Sequence, residues 1–212
     1  MIEHEYSDFA KELRQQGKLV DAGEYYVASS FGYLMKYRVI DESKFESSLS
    51  PTKLGFFHRN LILGSLCYRL AGELSRTKSY CQLGIIIVKD VLLHDEAILS
   101  PEPGPPTGLC HEMIGDFELV GQLDSFDESY ENAEMNFRMT DNHIGWSAEP
   151  EFELVINTFI ELADGVGYEI PENEKGRIRH WSLINRIHLK RDHYRAIIEK
   201  VLDVGNWESD KM

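Results

Sequence analysis

Residues 3–16 read EHEYSDFAKELRQQ, and Gly17 follows them directly. Apolar residues stand at positions i, i+3, i+4 and i+7 of this stretch, which is the spacing of one face of an amphipathic helix. These apolar residues are Tyr6, Phe9, Ala10 and Leu13. A second apolar stripe runs from Leu19 to about Arg38. Because the glycine leaves almost no loop, the two predicted helices must lie antiparallel and share one core face, as an αα-hairpin over residues 3–38.

Two more hairpins are predicted further along the chain, at about residues 55–95 and 108–139. In the second of the three, the segment LGIIIVKDVLL at 83–93 is rich in β-branched residues, which favour strands. Its helical flanks and the lack of a partner strand elsewhere favour a helix instead. A C-terminal helical pair is predicted at about 149–204, so that all the regular structure is helical.

Two stretches between the predicted hairpins read as connections. Residues 39–54 are rich in serine and charge, and residues 100–108 (SPEPGPPTG) contain four prolines, which lack the backbone N–H and fix φ. The last helix of the C-terminal pair is predicted to run from about residue 174 to residue 204. The whole chain, residues 1–212, is therefore predicted to be a single all-α domain built of antiparallel helical hairpins.

Composition and charge limit the classes of function. The chain has 212 residues, 42% of them hydrophobic, which suits one folded domain rather than a disordered chain. Thirty-six acidic residues against 22 basic ones give a net charge of −14, which disfavours phosphate backbones as the main partner. The three cysteines form no CxxC pair, and the longest apolar run, at 85–88, is far too short to span a membrane. We therefore expect a cytoplasmic protein that does not contact membranes.

The three hairpins share a pattern of large, small and turn residues. In each first helix a large residue is followed four positions later by a small or apolar one, then by another large residue and a turn. These positions are Tyr6, Ala10, Leu13 and Gly17; Leu61, Ser65, Tyr68 and Gly72; and Met113, Phe117, Val120 and Asp124. The pattern resembles the tetratricopeptide-repeat (TPR) family, whose hairpins need small residues where their helices cross. The resemblance implies a TPR-like array, and the alternative is an irregular helical bundle.

Stacking of the TPR kind implies a concave groove lined by the first helix of each hairpin. Cationic side chains and histidine occupy the groove positions. They are Lys11, Arg14, Arg59, Arg69 and His111, together with His4. Such a groove would bind an acidic peptide or a C-terminal carboxylate through charge-assisted hydrogen bonds. The alternative is that each base pairs with an adjacent acid on a solvated face, as Arg69 can with Glu73.

Residues 174–195 carry seven bases and two acids in an otherwise acidic chain. This asymmetry predicts either docking of the basic helix on acidic helices of its own chain, such as 124–134, or contact with RNA. We favour internal docking, or docking on a second copy of the chain, because acids outnumber bases overall. Three residues of the helix are candidate binding residues, namely Arg186, Lys190 and His193.

Arg186 and His193 are separated by six residues, a spacing similar to the RxxxxxxH motif of HEPN-family ribonucleases. The resemblance implies a metal-independent ribonuclease in which His193 acts as acid or base and Arg186 stabilises the charge at phosphorus. The motifs GxxxxGK[ST], GxGxxG, GxSxG and HExxH do not occur.

We therefore predict no catalytic residue, no cofactor and no metal site. The predicted function is that of a non-enzymatic adaptor or inhibitor-type module for a protein or peptide partner. The partner would be acidic in the groove or basic on the acidic face. The alternative function is an RNA-binding protein or HEPN-like ribonuclease that uses the basic C-terminal helix.

Overall fold

The computed structural model describes residues 2–37, 51–94, 104–123, 125–139, 150–174 and 183–204. All regular structure within these ranges is helical, which confirms the all-α class. Its long helices are α1 (Ile2–Gln15), α2 (Leu19–Tyr37), α3 (Pro51–Leu70), α4 (Leu74–His94), α5 (Pro105–Val120), α6 (Phe126–Arg138), α7 (Pro150–Gly165) and α8 (Leu183–Val204). The β-branched segment 83–93 lies inside α4, so its assignment to a helix is confirmed.

The first six helices pack as three successive hairpins, α1–α2, α3–α4 and α5–α6. Neighbouring hairpins are joined by contacts of α2 with α3 and of α4 with α5. Helix α7 packs on α3, and α8 packs on α5, α6 and α7. Helix α3 is thus surrounded, and residues 61–69 are all buried. The structure is therefore an array of hairpins closed on one side by the C-terminal pair.

Four helices end in the same backbone arrangement, in which one residue takes a left-handed conformation. That residue is Gly17 (φ 73°), Gly72 (φ 80°) or Gly167 (φ 63°) in three of them, and Gln122 (φ 55°) after α5. The residue that follows donates its N–H to the carbonyl five residues back, as Glu73 N–H does to Tyr68 O at 2.8 Å, which is the Schellman motif. The predicted turns at Gly17 and Gly72 are confirmed. The third hairpin reverses around Gln122, and the predicted turn residue Asp124 lies outside the described residues.

Prolines start two helices inside the predicted connections. Helix α3 begins at Pro51 and α5 at Pro105, so the predictions that 51–54 and 105–108 are not helical were wrong. The first turn of a helix has no acceptor for its N–H groups, so proline loses nothing there and its fixed φ is already helical. Residues 39–50 and 100–103 of the two connections lie outside the described residues.

The predicted continuous helix from 174 to 204 was also wrong. Glu174 Oε2 lies 2.7 Å from His193 Nε2. Two residues 19 positions apart on one straight helix would be separated by about 28 Å, because each residue rises about 1.5 Å. Glu174 therefore belongs to a separate helical turn at 172–174, and α8 begins at Leu183.

Small residues let α2 and α3 approach closely. A Cβ added at Gly64 would lie 2.9 Å from Val27 Cγ2 and 3.2 Å from the carbonyl oxygen of Gly23, which are distances that side chains do not normally tolerate. The backbones of the two helices therefore meet at a pair of glycines, as expected where small residues serve a helix crossing.

Helix α1 does not bury all of its predicted apolar stripe. Ala10 and Leu13 are buried, whereas Tyr6 is 39% and Phe9 is 42% exposed. Glu3 takes an inward position instead, beside Gly32 of α2. Helix α1 is the first of the array and packs mainly on α2, so only a narrow face of it is covered. Two aromatic side chains of the predicted stripe consequently remain on the surface.

Candidate functional site

The basic helix α8 docks inside the protein, and two of its candidate binding residues are enclosed. Arg186 is 4% and Lys190 is 1% exposed. Arg186 Nη2 lies 2.5 Å from Glu112 Oε2, and Lys190 Nζ lies 2.8 Å from Glu112 Oε1 and 2.5 Å from Asp116 Oδ2. We call Glu112, Asp116, Arg186 and Lys190 the buried charge cluster. Docking of α8 on its own chain is therefore what the structure shows.

The acidic partners of α8 differ from the stretch named in the sequence analysis. The buried carboxylates lie on α5, not in residues 124–134. From that stretch only Glu134 pairs with α8, through His188 at 3.2 Å and Arg191 at 3.8 Å, among the residues that the structure describes. These contacts are partly exposed and therefore contribute less than the enclosed ones.

Neutral groups complete the surroundings of the buried charge cluster. Tyr130 Oη donates a hydrogen bond of 2.7 Å to Asp116 Oδ1. His58 Nε2 is buried 3.3 Å from Asp116 Oδ2 and makes no hydrogen bond. Burial, together with the neighbouring Lys190 and Arg186, holds the pKa of His58 well below its usual value, so this histidine is neutral. Two carboxylates therefore face two cations with no further charge beside them.

The carboxyl groups of the cluster respond to this environment in opposite directions. Burial and the neighbouring Glu112 raise the pKa of Asp116 to about 6, although Lys190 favours its ionised form. The contacts with Arg186 and Lys190 outweigh burial at Glu112 and lower its pKa. Glu112 is therefore the permanent anion of the cluster, and Asp116 is the carboxyl group that titrates.

The buried charge cluster matches two helices turn by turn. Glu112 and Asp116 are four residues apart on α5, and Arg186 and Lys190 are four residues apart on α8. Residues with this spacing lie one above the other on a helix. A shift of α8 by one turn would leave an enclosed charge without a partner, which costs several kcal/mol. The cluster thus favours one register of α8 on α5.

The charge pattern of the sequence predicts the cations of this cluster but not its anions. The signal was present, because Glu112 and Asp116 stand in a mostly apolar helix with the same spacing as Arg186 and Lys190. His58 and Tyr130 carry no such signal, since only the packing of α3 and α6 on α5 brings them near Asp116.

Arg186 and His193 contact different parts of the chain. His193 Nε2 lies 2.7 Å from Glu174 Oε2, and its Nδ1 lies 3.0 Å from Tyr168 Oη, both in the segment after α7. The guanidinium of Arg186 instead lies against Glu112 of α5. An enclosed guanidinium with a carboxylate partner is not available to a phosphate group. The ribonuclease alternative stays a prediction, and no contact in the described structure favours it.

The candidate groove residues are distributed over several surroundings. Lys11 is exposed on α1. Arg14 and Arg59 are half-buried and lie near Tyr26, where they lower the pKa of the phenol against the burial that raises it. The structure thus brings two of these cations to one place, between α1, α2 and α3.

The other two candidate groove residues lie elsewhere. Arg69 is 7% exposed, and its Nη1 donates to Val120 O at 3.1 Å and to Leu119 O at 3.5 Å, the last carbonyls of α5. His111 is half-buried, and burial lowers its pKa. A cation at the C-terminus of a helix satisfies carbonyls that have no partner within the helix. Binding of an acidic peptide along one groove of cations stays a prediction.

Exposed aromatic and acidic side chains meet on the surface of the first hairpin. The ring of Tyr25 on α2 lies edge-on to Phe9 at 4.7 Å and to Tyr6 at 5.8 Å between centroids. Exposed carboxylates lie on the same two helices, close to these rings in sequence. We call these residues the acidic aromatic face: Tyr6, Phe9 and Tyr25, with the exposed acids Glu5, Glu12 and Asp21.

The sequence pattern could not distinguish this surface from core. A helical stripe of apolar residues is the same whether a neighbouring helix covers it or not. The structure leaves Tyr6 and Phe9 only partly covered by the described residues, since α1 packs mainly on α2.

Several other kinds of site find no support among the described residues. No group of three or more His, Cys, Asp or Glu side chains is arranged to hold a metal ion there. None of the described helices is long and apolar enough to cross a bilayer. Cys67 and Cys81 are buried, and burial raises the pKa of each thiol to about 12. Both thiols are therefore protonated and enclosed, which is unsuited to a nucleophile.

No protein-family model, curated protein or solved structure matches this chain. The TPR resemblance consequently stays a hypothesis about three hairpins, and the structure itself establishes an all-α hairpin array. A function for the chain must be argued from the chemistry of its own residues.

Proposed function

We propose that this protein is a non-enzymatic interaction module that binds an arginine-containing, basic segment of a partner protein on its acidic aromatic face. The observation that carries the proposal is the exposure of Phe9 and Tyr6 among carboxylates on the surface of an otherwise well-packed hairpin. Aromatic side chains that remain exposed in a cluster are typical of interaction surfaces, where they supply most of the binding free energy.

The spacing of the acids suits a cation placed over Phe9. Glu5 precedes Phe9 by four residues and Glu12 follows it by three, so all three side chains lie on one face of α1. A guanidinium above the ring would therefore have a carboxylate on either side of it. Attraction to the ring and to the two carboxylates would act together on the same group.

Arginine fits this surface better than lysine. Its planar guanidinium stacks on aromatic rings and presents several N–H donors at once, whereas an ammonium is a compact, strongly hydrated charge. Tyr25 adds a second ring edge-on to the first, and Asp21 precedes it by one helical turn. The whole surface belongs to an acidic chain of charge −14, which also accelerates encounter with a basic partner.

The experiment uses a fluorescein-labelled peptide of four Arg-Gly repeats, with its Lys-Gly counterpart for comparison, and measures affinity by fluorescence anisotropy. The change is Glu5→Gln plus Glu12→Gln, or Phe9→Ala alone. We expect each to weaken binding by about five- to tenfold, since a cation–π contact or a pair of carboxylates contributes about 1 kcal/mol. The Lys-Gly peptide should bind more weakly than the Arg-Gly peptide.

The matched control is Glu128→Gln plus Glu131→Gln, which removes two exposed acids from α6 and gives the same net charge. A second control, Met135→Ala, truncates a half-exposed apolar residue of α6. Both should change affinity less than twofold. Equal weakening by the α1 and α6 acid pairs would show that only net charge matters, and it would contradict the proposal.

A further inference from the structure

A second candidate site lies away from the acidic aromatic face, where the end of α3 meets the α5–α6 turn and α8. A cavity of about 120 Å³ opens there. Its charged lining consists of Arg69, Arg195 and Glu199, and its apolar lining includes Leu119, Leu123 and Ile198. Cavities of about 150 Å³ accept molecules the size of benzene, so this one has room for a few carbon atoms and not for a nucleotide.

Arg69 is held rigidly in the wall of the cavity. Its side chain is almost fully enclosed, and the two hydrogen bonds to the end of α5 both come from Nη1. A guanidinium of fixed orientation loses little entropy when it binds an anion. One wall therefore presents a positioned cation.

Arg195 provides the second cation from the solvent side. Its side chain is exposed, and its guanidinium lies over the ring of Phe126, 5.7 Å from the centroid. Its Nε is 3.4 Å from Glu199 Oε1, one helical turn along α8. Such exposed pairs contribute only a few tenths of a kcal/mol, so an incoming anion can replace Glu199 at little cost. Glu199 therefore competes with an incoming anion for Arg195.

We propose that this cavity binds an alkyl carboxylate of up to about six carbons, with its carboxylate at the solvent-side opening between Arg69 and Arg195 and only its alkyl group inside, on Leu123 and Ile198. Two guanidinium groups match a carboxylate in charge, and Leu123 and Ile198 offer an alkyl group contacts that a small inorganic anion would not make. The carboxylate belongs either to a free acid or to the last residue of a peptide, which carry the same group.

The experiment titrates the full chain, labelled with ¹³C in its leucine and isoleucine methyl groups, with 4-methylpentanoate and follows the NMR spectrum. Binding is expected at roughly millimolar concentration, given so few ligand atoms, with the largest shifts at Leu119, Leu123 and Ile198. The matching amide, 4-methylpentanamide, should bind at least tenfold more weakly. N-acetyl-leucine distinguishes the two sources, because it binds as well as the free acid only if the cavity admits a peptide end.

Variants on α8 test the roles of the charges. Arg195→Gln should weaken binding about tenfold, whereas the control Arg191→Gln removes a charge from the same helix outside the cavity and should change it less than twofold. Glu199→Gln should tighten binding, because it removes the competitor, and Asp203→Asn, an exposed acid on the same helix, should not. The proposal is overturned if the amide binds as tightly as the acid, if the two arginine variants behave alike, or if the cavity methyl groups do not shift.

Discussion

The contact between α5 and α8 buries charged side chains, whereas the surface of α1 leaves aromatic side chains exposed. Four charged groups lie in the interior at the first, and two large aromatic rings are about 40% exposed at the second. The buried charge cluster is internally balanced, because each carboxylate has a cation within 2.8 Å. The acidic aromatic face has no such balance, because its acids outnumber nearby bases and its rings are only partly covered by the described residues.

The difference indicates which of the two regions serves the fold and which is available to a partner. Enclosed charges that pair with one another are not accessible to a ligand, and they favour one way of docking the helices. Exposed apolar rings among unbalanced charges contribute little to the fold, and their contacts are free to be made with another molecule. Mutations should therefore affect stability at the first region and binding at the second.

The largest effect is expected from Lys190→Met. This change leaves Glu112 and Asp116 enclosed with Arg186 as their only cation, so the free energy of unfolding should fall by about 3–5 kcal/mol. Urea unfolding followed by circular dichroism measures it. Arg191→Met, on the exposed side of α8, is the control and should cost less than about 1 kcal/mol. Adding Asp116→Asn to Lys190→Met should recover part of the loss. If Lys190→Met alone lowers the free energy of unfolding by less than about 1 kcal/mol, the structural role of the cluster is contradicted.

A smaller effect is expected from pH, through Asp116. Its pKa of about 6 in the folded state lies above the value of about 3.9 in an unfolded chain, so the protonated carboxyl group stabilises the fold. This stabilisation is complete below about pH 4 and is lost as the pH rises through 6. Relative to Asp116→Asn, the free energy of unfolding of the natural chain should therefore fall by on the order of 2 kcal/mol between pH 4 and pH 7.

The comparison with Asp116→Asn isolates this group, because all other carboxyl groups titrate in both proteins. Urea unfolding at a series of pH values measures the difference. A relative rise in stability with pH would mean that pairing with Lys190 dominates over burial, and the assignment of Asp116 as the titrating group of the cluster would be wrong.

The smallest effect on stability is expected from Phe9→Ala. Because Phe9 is half-exposed and its main contact is the edge of Tyr25, its removal should lower the free energy of unfolding by less than about 1 kcal/mol. Leu13→Ala, four residues further along α1 and buried, should cost about 2–5 kcal/mol. Thermal unfolding of the two variants measures the contrast. A loss at Phe9 as large as that at Leu13 would place the ring in the core and remove the basis for a binding surface.

Much of the fold was predictable because its signals are local. The glycines at 17 and 72 permit the left-handed residue that reverses the chain, and the structure has both turns. The β-branched run at 83–93 was correctly assigned to α4, since its flanks continue the helix. The prolines at 51 and 105 were misread because proline breaks a helix interior but is favoured in its first turn, and the residues alone do not say which position they hold.

The candidate site was predictable only in part. Arg186 and Lys190 were identified as a charged face of a helix, and internal docking was correctly favoured. Their partners Glu112 and Asp116 stand 74 positions away in the chain, and no pattern within a helix identifies a partner in another helix. The cavity beside Arg69 was likewise beyond the sequence, since three separate segments form its lining.

The sequence by itself determined the helices of this protein and most of their ends, because helical periodicity, glycine turns and the backbone of proline act over a few residues. Only the tertiary structure decided which helical faces are covered, and therefore that Lys190 is enclosed while Phe9 is exposed. Burial depends on which helices from distant parts of the chain pack on a given face. The sequence pattern of an apolar or charged stripe is the same whether or not another helix covers it.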